Sequence, residues 1–221
     1  MKKSLLKSKL KQIFLKHKLS KNHAEICSNY LIKAEILEAK GHGLARLKMY
    51  CDRIKAKVIN PKPKIKIKKI SSSASYIDAD NSIGFVSADI GIKQAIKNAK
   101  EKKIAKFVME NIQRDYVNCY SFYKVAAQSF KDAGKDKNII DSLENSADVS
   151  LKYNYDLGEI MGLNPKVMSQ MTKDKVNNFV ELAKKDFSSL AKEYGMMCKS
   201  LVENPEQRTN FWEAKGNKKF K

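Results

Sequence analysis

Three side chains that can handle charge or a proton follow one another at intervals of four residues. His42 lies between two glycines, and Arg46 and Tyr50 follow it. An imidazole can exchange a proton near neutral pH, and a guanidinium stays protonated and has several hydrogen-bond donors. His42 and Arg46 would share a helix face if a helix began that early. The structural alternative is that His42 is a turn residue and Arg46 a solvated helix charge.

The elements around these residues are predicted to be two helices separated by a glycine-containing turn. Ser20 is a suitable N-cap for a helix over 21–39, in which apolar residues recur at spacings of three and four. Two glycines then interrupt the pattern. A second helix over 44–56 ends before Asn60-Pro61, because proline cannot continue a helix.

The rest of the first half is predicted to contain short strands and a helix. Lys64–Ile70 alternates lysine and isoleucine with a period of two, as a half-buried edge strand does. The alternative for this segment is a basic strip for phosphate backbones. We also predict a strand at 74–77, a strand at 104–109, and between them a helix over 86–103 that buries Val86, Ile90, Ala95, Ile96 and Ala99.

The second half shows helical spacing alone. We predict helices over 112–131, ended by Gly134, over 138–152, and over Thr172–Glu203 with Thr172 as N-cap. The last helix carries a long apolar stripe that favours a packed core face. The predicted fold class is α+β, with N-terminal helices and a small sheet followed by an all-α helical region. The predicted domains are 1–110 and 111–221.

Charge is distributed unevenly along the 221 residues, whose formal net charge is +20. Residues 1–110 contain 26 basic and 9 acidic side chains, against 18 and 15 in residues 111–221. Nearly all of the basic residues are lysines, whereas specific recognition of bases favours the arginine fork. We therefore expect compositional bias rather than specific nucleic-acid binding.

Cysteine spacing and hydropathy argue against a metal site, a signal peptide and a transmembrane segment. The four cysteines, Cys27, Cys51, Cys119 and Cys198, form no CxxC pair, so we expect no metal site and interpret them as buried free thiols in a reducing cytosol. Lysines interrupt the apolar residues of the N-terminus, so we expect no signal peptide and instead an amphipathic first helix. No segment is apolar over the length that a transmembrane helix needs. The predicted location is cytoplasmic.

The first half contains a series of short motifs in a fixed order: Ala34-Glu35, Gly41-His42-Gly43-Leu44-Ala45-Arg46-Leu47, Tyr50, Asn60-Pro61, Ile77-Asp78-Ala79-Asp80 with Gly84, and Ala95 to Ala99. In these residues the chain resembles the type 2 malate/L-lactate dehydrogenases over about residues 10–110. The resemblance implies an NAD(P)-dependent oxidoreductase of small 2-keto or 2-hydroxy acids, with NAD or NADP as cofactor. It implies that His42 is catalytic and that Arg46 and Tyr50 bind the substrate.

Two departures from the family pattern bear on activity. Gly41 stands where the family usually has a serine, and Arg114 falls where an ungapped continuation places the family's acid/base histidine. A guanidinium does not release its proton near neutral pH. The expectation is a truncated or divergent member of the family.

The sequence also allows a function of a different class. Leu190–Trp212 resembles the helical leader of polyhydroxyalkanoate synthases. The alternative is therefore a non-catalytic helical interaction protein that binds a partner helix or a hydrophobic granule surface. A homodimer is the assembly considered for this chain.

Overall fold

The computed structural model describes residues 3–39 and 41–221, which form two compact units, Met1–Lys102 and Lys103–Lys221. The fold class is α+β, as predicted, because helices dominate and two strands form a small sheet. The predicted boundary between residues 110 and 111 falls within α4 and remains a prediction. The elements are α1 (Lys3–Lys16), α2 (Lys21–Ile36), a 3₁₀ helix (Leu44–Arg46), α3 (Leu47–Lys55), β1 (Lys66–Lys69), β2 (Ser75–Asp78), α4 (Gly84–Asp132), α5 (Lys137–Ile160), α6 (Pro165–Glu203) and α7 (Pro205–Lys219).

The core of the first unit forms where α1 and α2 pack together. Leu10 and Phe14 of α1 are buried, as the predicted amphipathic stripe requires, and Cys27 and Leu31 of α2 are buried with them. The predicted N-cap of α2 is confirmed, because the Ser20 hydroxyl accepts a hydrogen bond of 3.1 Å from the backbone N–H three residues later.

Glu25 ties α2 to α1 through two ion pairs. One carboxylate oxygen contacts the ammonium of Lys7, and the other lies 2.6 Å from that of Lys11. The hydrogen bond from Lys11, followed by that from Lys7, lowers the pKa of Glu25 from 4.5 to about 2. In a chain with a net charge of +20, this carboxylate also offsets repulsion between neighbouring lysines.

The predicted strands at 64–70 and 74–77 correspond to β1 and β2, which form an antiparallel pair. The first of them is not half-buried. All residues of β1 are exposed, including Ile67, so the expectation of one apolar buried face was wrong. The hairpin is attached to α4 by polar contacts instead. Lys69 lies 2.6 Å from the carboxylate of Glu101, and the amide of Asn98 donates to the Ser75 hydroxyl at 3.1 Å.

The predicted strand at 104–109 is wrong, because α4 continues without a break from Gly84 to Asp132. Ile104, Val108 and Ile112 lie four residues apart and pack into one cluster, which is the period of a helix. The predicted inward face over 86–103 also needs correction. Ile96 is 63% exposed, and Ala95 and Ala99 are exposed too. Asn98 takes the inward position because it binds the hairpin.

A buried carboxylate holds α7 against α4 in the second unit. Asp115 accepts hydrogen bonds of 2.6 Å from the Nε of Arg208 and from the indole N–H of Trp212. The carboxylate is almost completely buried. A buried charge is tolerated when it is paired and hydrogen-bonded, and both conditions hold for Asp115.

The last long helix differs from its prediction at its start and in its middle. Asn164 is the N-cap of α6, because its side chain accepts from the backbone N–H of Lys166. Thr172 lies inside the helix, where its hydroxyl donates to the carbonyl of Met168. The backbone at Asp186 is non-helical and divides α6 into two segments. The stripe does form a packed face, since Phe179 and Leu201 are buried.

The cysteine prediction holds for two residues and is wrong for the other two. Cys27 and Cys51 are free and buried. Cys119 of α4 and Cys198 of α6 form a disulfide inside the second unit. Their separation of 79 residues gave no signal in the sequence, because only the packing of the two helices brings the thiols together. Within the described residues, no helix has the length and apolar character needed to cross a membrane.

We predict that reduction with dithiothreitol destabilises the second unit selectively. The disulfide closes a loop over a separation of 79 residues, for which the chain-entropy model gives a stabilisation of about 4.5 kcal/mol. The single tryptophan, Trp212, lies in that unit, so its fluorescence during urea unfolding reports on it. Equal urea midpoints with and without reductant would contradict the prediction. Hydrogen exchange in α1 and α2 is the control and should not change.

We also predict that the attachment of α1 to α2 weakens in acid because Glu25 becomes protonated. The folded pKa of Glu25 is depressed, so its stabilisation is complete above about pH 4.5 and is lost as pH falls toward about 2. Hydrogen exchange of α1 at pH 5 and pH 3 measures this loss, which Glu25→Gln should abolish. Glu38→Gln is the matched control, since no ion pair among the described residues includes Glu38. An unchanged pH response in Glu25→Gln would refute the proposed cause.

Candidate functional site

The turn that contains His42 joins α2 to the 3₁₀ helix. Gly41 has a φ of +74°, in the left-handed region that favours glycine. The backbone N–H of His42 donates to the carbonyl of Ala39 at 3.0 Å. The chain therefore reverses immediately after α2 and presents the exposed side chain of His42 beside the start of the 3₁₀ helix.

Glu35 fixes this turn from the last residues of α2. One of its carboxylate oxygens accepts a hydrogen bond of 2.9 Å from the backbone N–H of Leu44, which is the first residue of the 3₁₀ helix. Gly43 passes so close that a Cβ atom there would lie 3.1 Å from the Glu35 nitrogen and 3.2 Å from its Cα. A side chain at position 43 would displace the Glu35 carboxylate and crowd its backbone, so the turn favours glycine there.

Arg46 folds back onto the same turn. Its Nε donates to the carbonyl of Gly41 at 2.5 Å, which places the guanidinium beside the residue that precedes His42. Its Nη1 contacts the sulfur of Met49 at 4.0 Å, and a thioether is a weak acceptor. One donor of the guanidinium is thus used as an anchor, while the hydrogen bonds among the described residues give its terminal nitrogens only the weak acceptor Met49.

Tyr50 is held by aromatic packing. Its ring lies 5.2 Å from that of Phe85, centroid to centroid, and Tyr30 stacks on Phe85 at 5.7 Å. The three rings belong to α3, α4 and α2, so Tyr50 is anchored by the core of the first unit rather than by the turn. Its side chain is half-buried.

The structure brings Arg46 to the turn that contains His42, but not in the way the spacing predicts. No helix includes both residues, because the 3₁₀ helix begins only at Leu44. The hydrogen bond from Arg46 to Gly41 brings them together instead. Sequence reasoning assigned no role to Glu35. This residue belongs to the family-like segment, but it positions the turn only once the chain has reversed direction.

Two clefts flank this turn, and their linings differ in charge. A cleft of about 320 Å³ is lined by Glu35 and Glu38 together with small residues. A second, of about 530 Å³, is lined by Lys48, Asp52 and Arg53, among others. In the second cleft, Lys48 donates to Asp52 at 2.6 Å and lowers the pKa of that carboxylate, so these two charges neutralise each other.

The other thiol, imidazole and guanidinium groups considered in the described residues offer no second site for catalysis or metal binding. Burial raises the pKa of Cys27 to about 12, which keeps this thiol protonated and inert. Burial also lowers the pKa of His23. Arg114 lies on α4 with its side chain exposed. Among residues 3–39 and 41–221, no group of three or more His, Cys, Asp and Glu side chains is placed to hold a metal ion.

Comparison with known proteins identifies relatives of one type. The family profile described as malate/L-lactate dehydrogenase matches residues 1–129. The malate dehydrogenase of Pyrococcus horikoshii is 30% identical over 152 residues, which are 69% of this chain and 40% of that protein. The ureidoglycolate dehydrogenase (NAD(+)) of Escherichia coli K12 is 30% identical over 101 residues, covering 46% of this chain and 28% of that protein.

A third relative is the L-sulfolactate dehydrogenase of Methanocaldococcus jannaschii. It is 36% identical over 77 residues, which are 35% of this chain and 22% of that protein. In each of the three comparisons, this chain spans less than half the length of the relative.

We predict that Gly43→Ala destabilises the turn. The added methyl group would meet the backbone of Glu35 at 3.1 to 3.2 Å, and overpacking of this kind costs about 1 to 3 kcal/mol. The readout is hydrogen exchange of the Leu44 N–H, which loses its acceptor if Glu35 moves. Gly84→Ala is the control, since a Cβ there meets nothing within 4 Å. Equal protection of Leu44 in the two variants would show that no close approach exists.

Proposed function

Since the chain belongs to the malate/L-lactate dehydrogenase family, we propose that it takes part in the NAD(P)-dependent oxidoreduction of a small 2-hydroxy or 2-keto acid. The three relatives support the substrate class, because malate, ureidoglycolate and sulfolactate are all 2-hydroxy acids. The described residues contribute the substrate side of this site.

The anchored guanidinium of Arg46 is the observation that supports substrate binding most directly. Its Nε is committed to the Gly41 carbonyl, which fixes the group in place, and among the described residues its terminal nitrogens contact only the Met49 sulfur, a weak acceptor that a carboxylate would replace. A carboxylate that accepts two hydrogen bonds from a guanidinium is held in one orientation. Every 2-hydroxy and 2-keto acid offers such a carboxylate next to its reacting carbon.

His42 and Tyr50 complete the proposed substrate side. His42 directly follows Gly41, to which Arg46 is bonded, and we assign to its imidazole the C2 oxygen of an acid held by Arg46. An imidazole can give a proton to that oxygen or take one from it near neutral pH. Tyr50 is held by Phe85 and would border the same acid one helical turn beyond Arg46.

The nicotinamide cofactor of the family supplies hydride, but the surroundings of this turn do not fit a dinucleotide. Glu35 and Glu38 line the cleft of about 320 Å³, and their carboxylates would repel a diphosphate. In the other cleft, Lys48 is already paired with Asp52. Arg114 stands in the position expected for the family's acid/base histidine, and a guanidinium does not release its proton near neutral pH. Hydride transfer is therefore not assigned to the described residues.

The alternative of a helical interaction protein gains no support from the apolar stripe on α6. That stripe was the feature available to engage a partner helix or a granule surface. Phe179, Leu190 and Leu201 are instead buried in the core of the second unit. We therefore propose only the dehydrogenase function.

The test is binding of oxaloacetate and pyruvate, measured by isothermal titration calorimetry. Arg46→Gln should weaken 2-keto acid binding about tenfold or more, because it removes a charge-assisted contact to the carboxylate. Arg53→Gln removes the same charge from α3 and should leave binding unchanged. No saturable binding by the wild-type chain, or equal effects of the two substitutions, would overturn the proposal.

A further inference from the structure

Two helix ends converge on a basic pocket in the first unit. A cavity of about 600 Å³ lies where α1 and α3 end, and no aspartate or glutamate is among the described residues that line it. Ile54 and Ile59, which are 7% and 8% exposed, give the pocket an apolar part. Its charged lining consists of Lys16, Lys18, Lys55 and Lys57, with the imidazole of His17 beside them.

Two of these lysines have a backbone conformation that ordinarily favours glycine. Lys18 has a φ of +68° and Lys57 a φ of +60°. Each follows a helix, and each donates its N–H to a carbonyl three residues back, Leu15 for Lys18 at 2.9 Å and Ile54 for Lys57 at 3.1 Å. When a helix ends in this way, the residue with the left-handed backbone is usually glycine, because a Cβ atom makes that conformation strained.

Other helices of the chain end in the same way. The helix α4 is followed by Gly134 and α5 by Gly162, with φ values of +62° and +71°. The corresponding residue after α2 is Glu38, which lines the cleft beside the His42 turn. Both lysines in this conformation line the same pocket. Their side chains are thus retained at positions where the backbone alone would favour glycine.

No carboxylate of the described residues forms an ion pair with a lysine of this pocket. Among the ion pairs of the described residues, none includes Lys16, Lys18, Lys55 or Lys57. Asp52 is close enough for Lys55 and His17 to lower its pKa, but its carboxylate is bonded to Lys48.

The negative ends of the helix dipoles account for part of this arrangement. The carbonyl end of a helix favours one cation near its last turn, and Lys16 and Lys55 satisfy that preference for α1 and α3. Lys18 and Lys57 are not needed for this purpose. They add two further positive charges to the lining of the same pocket. A cleft lined by charges of one sign concentrates ligands of the opposite sign.

We infer that this pocket binds a small molecule that carries two or more phosphate groups and an apolar ring. The phosphates neutralise the lysines at the opening, and the ring packs against Ile54 and Ile59. None of His42, Arg46 and Tyr50 lines this pocket, so the inference is independent of the proposed 2-keto acid site.

The test is isothermal titration calorimetry at low ionic strength with ATP, inorganic triphosphate and adenosine as probes. The double substitution Lys18→Gly/Lys57→Gly should weaken ATP binding about tenfold, because it removes two charge-assisted phosphate contacts. It should not lower the melting temperature, because glycine relieves the left-handed backbone. Added salt should weaken ATP binding to the wild-type chain.

The matched control is Lys66→Gln/Lys68→Gln, which removes two positive charges from the exposed strand β1. ATP affinity should be unchanged in this control. No saturable ATP binding by the wild-type chain, or an equal loss of affinity in the two double variants, would overturn the inference. Triphosphate binding as tight as that of ATP would refute the contact between the ring and the isoleucines.

Discussion

The proposed substrate side depends on the close approach of Gly43 to Glu35. The missing side chain at position 43 lets the carboxylate of Glu35 reach the N–H of Leu44 and start the 3₁₀ helix. That start places Arg46 where its Nε reaches the Gly41 carbonyl. A single steric constraint therefore fixes both the reversal that presents His42 and the anchored guanidinium beside it. The chemistry assigned to these side chains follows from a backbone that favours glycine at one point.

Electrostatic repulsion is the second constraint, since the chain has a net charge of +20. Several carboxylates of the first unit lie between lysines that would otherwise repel each other. Glu25 binds Lys7 and Lys11, and Glu101 of α4 binds Lys69 of the hairpin and Lys97 of its own helix. Compositional bias explains the number of lysines, but it does not explain which of them lack a carboxylate. The basic pocket between α1 and α3 is notable because the local neutralisation found elsewhere does not reach it.

The second unit is organised by polar groups buried between its helices. The amide of Gln113 donates to Asn154 at 2.6 Å, and Asn154 in turn contacts Thr172 at 3.3 Å, which links α4, α5 and α6. Asp115 holds α7 in the same manner. Buried polar groups are costly unless their partners are in place, so they favour one arrangement of the helices over others with equal apolar burial. None of these pairings has a signature in local sequence, because their members lie far apart along the chain.

The sequence by itself determined the local features and the ancestry of this protein. The cap at Ser20, the spacing of His42, Arg46 and Tyr50, and the α+β class depend on neighbouring residues, which a linear pattern records. Only the tertiary structure decided that α4 runs through the predicted strand at 104–109, since short apolar runs fit a strand as well as a helix until their partners are known. It also joined Cys119 to Cys198 and surrounded one pocket with lysines from two helix ends. These features require residues distant in sequence to meet, and packing alone brings them together.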